Sequence, residues 1–476
     1  MKNILAILII FLLFSSCNKL DELNQNIKDP ATVPGESLFT GAQLAVANGI
    51  TTPNVNRNNF RLYVQYWTET TYTDESNYDI TSRPIPGNFW NILYRDVLMN
   101  LKESAKVLAE TGTLPGDAPA VLTNKLAIVE VMTVYGYSVL VETFGNVPYT
   151  QALDPDILLP AYDDGLTIYK DLITRLNKAI LDMDQAQASF GSADNMYHGN
   201  VAQWYKFANS LKLRMGMVLA DADNALAATT VAEAADKVIM SNADNALFWY
   251  ISSQPNNNPV NENLVKSGRN DFVGANTFID VMNDLADPRL EFYFTTAGDP
   301  PVYVGGEYGA SNDFSQFSHV APALTEAEYP AIFFDLAEVE FLLAEGAERG
   351  FVGGTAAEHY NNAITASIEA YGGTADTIAA YLADPKVAYA TATGTWQQKI
   401  GMQKWIALYN RGFDAWTSYR ILDFPVLVAP PDAVSVLPLR LTYPIAEQTL
   451  NGANRAAAGA AIGGDDVGTK LFFDKN

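Results

Sequence analysis

An apolar residue recurs every three to four positions in stretch after stretch of this chain. That period belongs to a helix with one buried face, because a half-buried strand would alternate with period two. In residues 163–184 the stripe is Leu166, Tyr169, Leu172, Ile173, Leu176, Ile180 and Met183. In residues 201–220 it is Trp204, Phe207, Ala208, Leu211, Met215, Val218 and Leu219, and Asn200 followed by Gln203 supplies an N-cap arrangement. Residues 333–371 read as a helical hairpin. Leu336, Val339, Leu343 and Ala347 mark its first helix, Gly350, Gly353 and Gly354 its turn, and Ala357, Tyr360, Ile364, Ile368 and Tyr371 its second. Two helices of about 15 residues with a short turn match one tetratricopeptide-like unit in size. No clean repeat of that length is visible, so an array of such units is an inference. The expected fold is all-α, a scaffold of tetratricopeptide-like hairpins carrying long irregular loops at 251–271 and 296–322. No break divides residues 36–476, which are expected to form one body. The alanine- and glycine-rich stretch 452–464 reads as a flexible connection.

The N-terminus follows different rules. Lys2 precedes an unbroken apolar run, Ile4 to Phe14, and then come Ser15, Ser16 and Cys17. A basic start, a short apolar core and small residues before a cut site describe a secretory signal peptide over residues 1–16, too short for a membrane-spanning helix. Cys17 is the one cysteine in the chain. Its place just after the apolar core resembles a bacterial lipobox, in which the cysteine is lipidated and anchors the mature protein. Residues 17–35, with Pro30, Pro34 and Gly35, read as a tether. A lone cysteine permits no internal disulfide and no thiol-rich zinc site. The formal net charge of -24 opposes binding to nucleic acid or to anionic lipid headgroups.

Motifs for chemistry are sparse. Residues 463–470 (GGDDVGTK) nearly match a phosphate-binding loop, but Thr469 and Lys470 stand in the wrong order and Asp465 and Asp466 would repel phosphate. His198, His319 and His359 read as structural or solvent-facing. Glu69, Asp74, Glu75 and Asp79 sit among aromatic residues, as the acid and base of a glycosidase would, so a lipid-anchored glycan hydrolase using carboxylates near Asp74 is the rival reading. The segment from Phe60 to Tyr94 interleaves aromatic with polar residues. Tyr63, Tyr66 and Trp67 have helical spacing and read as core. Tyr72, Tyr78 and Trp90, near turn-forming residues, are candidates to face a ligand together with Asp74 and Asn77. Tyr303 and Tyr308, in a glycine-rich loop, are similar candidates. No cofactor is expected, and composition leaves a bound metal such as calcium open.

Several phrases taken in order resemble one family. They include FGNVPYTQALDP (144–155), PAYDDGLTIYKDLI (160–173), WYKFANSLKLRMGM (204–217), DPRL (287–290) and EVEFLLAEGAERG (338–350). YNNAITASIEAYG (360–372), QKWIALYNRGFDAWTSYR (403–420) and LRLTYPIAEQTLN (439–451) complete the set. Behind a lipobox-like cysteine they resemble the SusD/RagB family of nutrient-binding outer-membrane lipoproteins. The resemblance implies four tetratricopeptide-like hairpins and loops that build the ligand face. It also implies no hydrolytic activity, and a SusC-like TonB-dependent barrel as the partner over which the protein closes as a lid. Asp21 and Glu22 resemble the family's export signal, which implies lipid anchoring facing the cell exterior. The implied ligand is an oligosaccharide or a peptide. The ligand residues above are not carried over from any shared phrase.

Overall fold

The computed structural model describes residues 33–475. The signal peptide, Cys17 and the tether up to residue 32 lie outside the described residues. From Gly35 onward the chain is one compact unit.

Helix α2 (Ile85–Asn91) runs through a π-helical stretch (Ile92–Leu98) into α3 (Met99–Thr111), and helix α1 (Gly35–Thr51) packs against that stretch and α3. Three more hairpins follow: α4 (Pro119–Phe144) with α5 (Gly165–Asp182), α6 (Val201–Val218) with α7 (Asn224–Ala234), and α9 (Leu336–Glu348) with α10 (Ala356–Ala370). Helix α8 (Asn276–Asp284) lies between the third and fourth. A further pair, α11 (Trp396–Ala407) and α12 (Gly412–Leu422), packs against α9. Among the described residues the strands are two to four residues long, in two-stranded pieces only. The fold is therefore all-α in the sense expected, four tetratricopeptide-like hairpins with irregular loops.

The helix ends follow from local chemistry. Asn200 accepts from Ala202 N at 3.1 Å and Gln203 N at 3.3 Å at the start of α6. Asp335 caps α9 by accepting from Glu338 N at 2.8 Å, and Thr355 caps α10 by accepting from Glu358 N. Helix α4 is long and apolar enough to span a bilayer, yet most of that length is buried inside the protein. A helix that is apolar all round belongs at the centre of a core, and α5 and α6 both pack on it.

A buried ionic network holds the later helices together. Arg214 on α6 makes two bonds to Glu338 on α9, at 2.7 and 2.8 Å. Arg411, just before α12, bonds Glu338 as well and pairs with Asp414 at 2.9 Å and Asp335 at 3.2 Å. Guanidinium groups suit such sites because their planar forks satisfy carboxylates two bonds at a time. Gly412 opens α12 where a side chain could not fit, since a Cβ there would sit 2.5 Å from the backbone nitrogen of Arg61.

One expectation is corrected. The stretch 452–464 is mostly helix, α13 (Gly452–Ala461), because alanine is the strongest helix former and Arg455 ties the helix to Asp465 at 2.6 Å. Asp465 also binds Arg440 at 2.6 Å and accepts from Tyr443 N, so the GGDDVGTK segment works as a structural clamp.

Candidate ligand-binding face

The face is built where short pieces of extended chain meet. Strand β1 (Trp67–Glu69) pairs antiparallel with β2 (Phe272–Gly274), with Trp67 opposite Gly274 and Glu69 opposite Phe272. Past β1, Thr70 N donates to Asp271 O at 2.9 Å and Thr70 Oγ1 donates to Asn270 O at 2.6 Å. Asn312 N donates to Thr70 O, and Gly309 N donates to Thr68 Oγ1 at 3.1 Å. A fourth segment closes the group: Gln65 Nε2 donates to Val428 O at 2.8 Å, and Val434 N donates to Asn77 O at 2.9 Å.

From this base the turn 70–79 projects. Tyr72 is 73% exposed and its backbone sits at φ +54°, a left-handed conformation that is costly for a side chain of this size. Such strain persists only where surrounding bonds enforce it, and the bonds at Thr70 and Asn77 do so. Asp74 is also exposed and lies 3.5 Å from Arg83, which bonds Glu75 at 2.9 Å. Asn77 lies beneath the turn, its amide nitrogen donating to Thr73 O and Gly309 O at 2.8 Å each. Tyr72, Asp74 and Asn77 are thus brought into one turn.

Three aromatic candidates are corrected. Tyr78 is buried between Tyr63 and Tyr308, and its hydroxyl accepts from Gln65 Nε2 at 2.9 Å. Tyr308 is buried too, with its hydroxyl donating to Leu62 O. Trp90 is 8% exposed and packed against Tyr94, Phe144, Tyr162 and Tyr443. Its ring completes the apolar face of α2, so it is core. Tyr303 is half-buried and lies beside α8, where its carbonyl accepts from Asn283 Nδ2 at 3.1 Å. Tyr63, Tyr66 and Trp67 are core, as their spacing indicates.

The carboxylates do not assemble a hydrolytic pair. Glu69 is buried and accepts from Ser76 N at 2.9 Å and Ser76 Oγ at 3.0 Å. Burial, reinforced by the neighbouring Glu75 carboxylate, pushes the Glu69 carboxyl well above the usual range. Burial raises Glu75 as well, against the lowering effects of Glu69 and Arg83. Asp79 accepts from the backbone nitrogens of Thr81 and Ser82 at 3.0 Å each. Of the four carboxylates Glu69 and Glu75 are buried, Asp79 is half-exposed with one oxygen taken up by its own turn, and Asp74 is exposed and paired with Arg83. Among the described residues no group of three or more His, Cys, Asp or Glu is arranged to hold a metal ion.

Arg83 and the exposed Val428 and Val434 belong to this face and escape a reading of the sequence. Arg83 sits in a loop of no periodicity, and the valines are exposed against their usual preference.

Comparison with known proteins bears on these features. A SusD-like family model, described as starch-binding and associating with the outer membrane, matches residues 26–444. A search of curated proteins finds no match. Among solved structures, a chitin-binding protein superposes with a TM-score of 0.79 at 25% identity, covering 93% of this chain and 100% of its own. A chitin-binding SusD homologue from Flavobacterium johnsoniae superposes at 0.76 with 24% identity, covering 92% and 99%. A SusD homologue from Bacteroides uniformis superposes at 0.77 with 26% identity, covering 92% and 99%. The family is described as starch-binding, and two of these structures as chitin-binding. With the family model spanning nearly the whole chain over a scaffold of four helical hairpins, the protein belongs to the SusD-like family of binding proteins that associate with the outer membrane.

Proposed function

We propose that the protein captures a glycan on the face around Tyr72, from a position on the outside of the outer membrane where lipidated Cys17 anchors it. The observation that carries the reading is the exposed Tyr72 ring, held on a left-handed backbone in the turn that also exposes Asp74, which Arg83 meets at 3.5 Å. A pyranose presents an apolar face of C–H groups that stacks on such a ring. Its hydroxyls can meet a carboxylate and a guanidinium at the edge. Chitin binding by similar structures supports a glycan over a peptide. The captured sugar then passes to a SusC-like TonB-dependent transporter, over which the protein closes as a lid. Exposed Val428 and Val434 beside the turn supply apolar surface of the kind that marks a contact with another protein.

The test is calorimetric titration of the detergent-solubilised full-length protein with chitohexaose and maltohexaose. Tyr72→Ala weakens binding at this face at least tenfold, about 1.4 kcal/mol, and leaves the melting temperature unchanged because the ring is exposed. Unchanged saccharide binding in Tyr72→Ala would refute the assignment of this face.

A further inference from the structure

A cleft of about 920 Å³ opens on the other side of α8, walled by α8, α11 and the loop 385–394. None of the residues around Tyr72 lines it. The remaining cavities beside the helical hairpins include one among Arg214, Glu338 and Lys404 of about 20 Å³, room for a single water. The large cleft is in the size range of small-ligand sites, about 300–1,000 Å³.

Its wall is apolar on one side. Val281, Leu285, Met402 and Phe424 line it, and each is only half-buried. The half-buried Phe424 lines the cleft and stacks on no other aromatic ring among the described residues. The opposite rim is polar. Lys386 donates to the carbonyl and carboxylate of Asp284 at 2.7 Å each, and Lys399 donates to Tyr389 O at 2.8 Å. Gln403 is closed off by Arg289 at 2.8 Å and Tyr381 at 2.9 Å. What remains without a partner among the described residues is the Thr393 hydroxyl, the Gln398 amide nitrogen and the Asp280 carboxylate.

We infer that this cleft is a second saccharide site, taking a neutral oligosaccharide whose apolar face lies on Phe424 and Met402 and whose hydroxyls bond Thr393, Gln398 and Asp280. Three features select that class. The lining carries Asp280 and Asp284 against Lys386 and Lys399 and is formally neutral, and both ammonium groups are already engaged, Lys386 by Asp284 and Lys399 by the Tyr389 carbonyl and ring, so a neutral ligand suits it better than an ionic one. No strand borders the cleft, so a peptide has no sheet edge to extend. A donor, an acceptor and a hydroxyl set opposite an apolar wall match a sugar ring. The inference stands on the cleft alone and does not depend on Tyr72.

Titration of the full-length protein with chitohexaose and maltohexaose tests it, using Thr393→Trp, Asp280→Trp and Tyr72→Ala. Both cleft variants change exposed residues, so the fold is retained. The expected result is two sites per chain for at least one of the saccharides. One site weakens at least tenfold in Thr393→Trp and Asp280→Trp and survives in Tyr72→Ala. One site per chain that neither cleft variant touches overturns the inference, and so does a complete lack of Thr393-sensitive saccharide binding. A cleft that takes trilysine and no saccharide overturns the assignment of class. A single site sensitive to Thr393 and insensitive to Tyr72 supports the cleft and refutes the Tyr72 face, so the two readings fail separately.

Discussion

Tyr72 and Trp90 stand 18 positions apart among similar neighbours and end on opposite sides of the surface. Nearby Pro86 and Gly87 suggest a loop at Trp90. The fact that decides its place is that Phe89, Trp90, Leu93 and Val97 share the buried side of α2 and its π-helical continuation. Replacing Trp90 with alanine removes a ring packed on four others and leaves a cavity, at a cost of about 3–5 kcal/mol. A large fall in melting temperature is the expected result. A variant that kept its stability and lost saccharide binding would return Trp90 to the ligand face. The charged residues of the family phrases show the same limit. Arg214, Glu338, Arg411 and Asp414 come from three separate phrases and meet in one buried network, a convergence that spacing along the chain does not reveal. The turn at Tyr72 is partly legible, because an aromatic residue among Thr, Asp and Ser has little to pack on locally. Its left-handed backbone is not, since it depends on bonds to residues 270, 271 and 312.

Helices with one buried side were readable from their stripes, and α5, α6, α9 and α10 lie where those stripes run. Helix α4 carries no such signal, because a helix buried all round shows no stripe against a polar face. The α13 segment misled in the opposite direction, since small residues suit a flexible linker and a packed helix alike. The α9–α10 hairpin carries a pH-sensitive tie. His359 Nδ1 lies 2.6 Å from Glu340 Oε2 on the facing helix. That bond is the main cause that raises the imidazole above its ordinary 6.5, with Glu358 and the Gly353 backbone adding to it against partial burial. A cation favoured by folding stabilises fully below its unfolded pKa, and the contribution fades as pH rises through the higher folded value. The melting temperature of the native protein should therefore exceed that of Glu340→Gln by more at pH 6 than at pH 8.5. An equal difference at both pH values would show that the pair contributes nothing through protonation.

The described residues from Gly35 onward form a helical scaffold that carries irregular loops, an arrangement suited to presenting a site. Its net charge of -24 opposes nucleic-acid binding, and the two buried carboxyls beside the turn, Glu69 and Glu75, are taken up by Ser76 and Arg83. Surface capture linked to import is the account that joins the lipobox-like Cys17, the Tyr72 face and the exposed valines beside it. Mass spectrometry of the intact complex, purified natively from gently solubilised outer membranes, tests it most directly. The account predicts co-purification with a barrel-sized transporter and extra mass from a bound saccharide. Recovery of the protein alone, under conditions that keep other outer-membrane complexes intact, would contradict it.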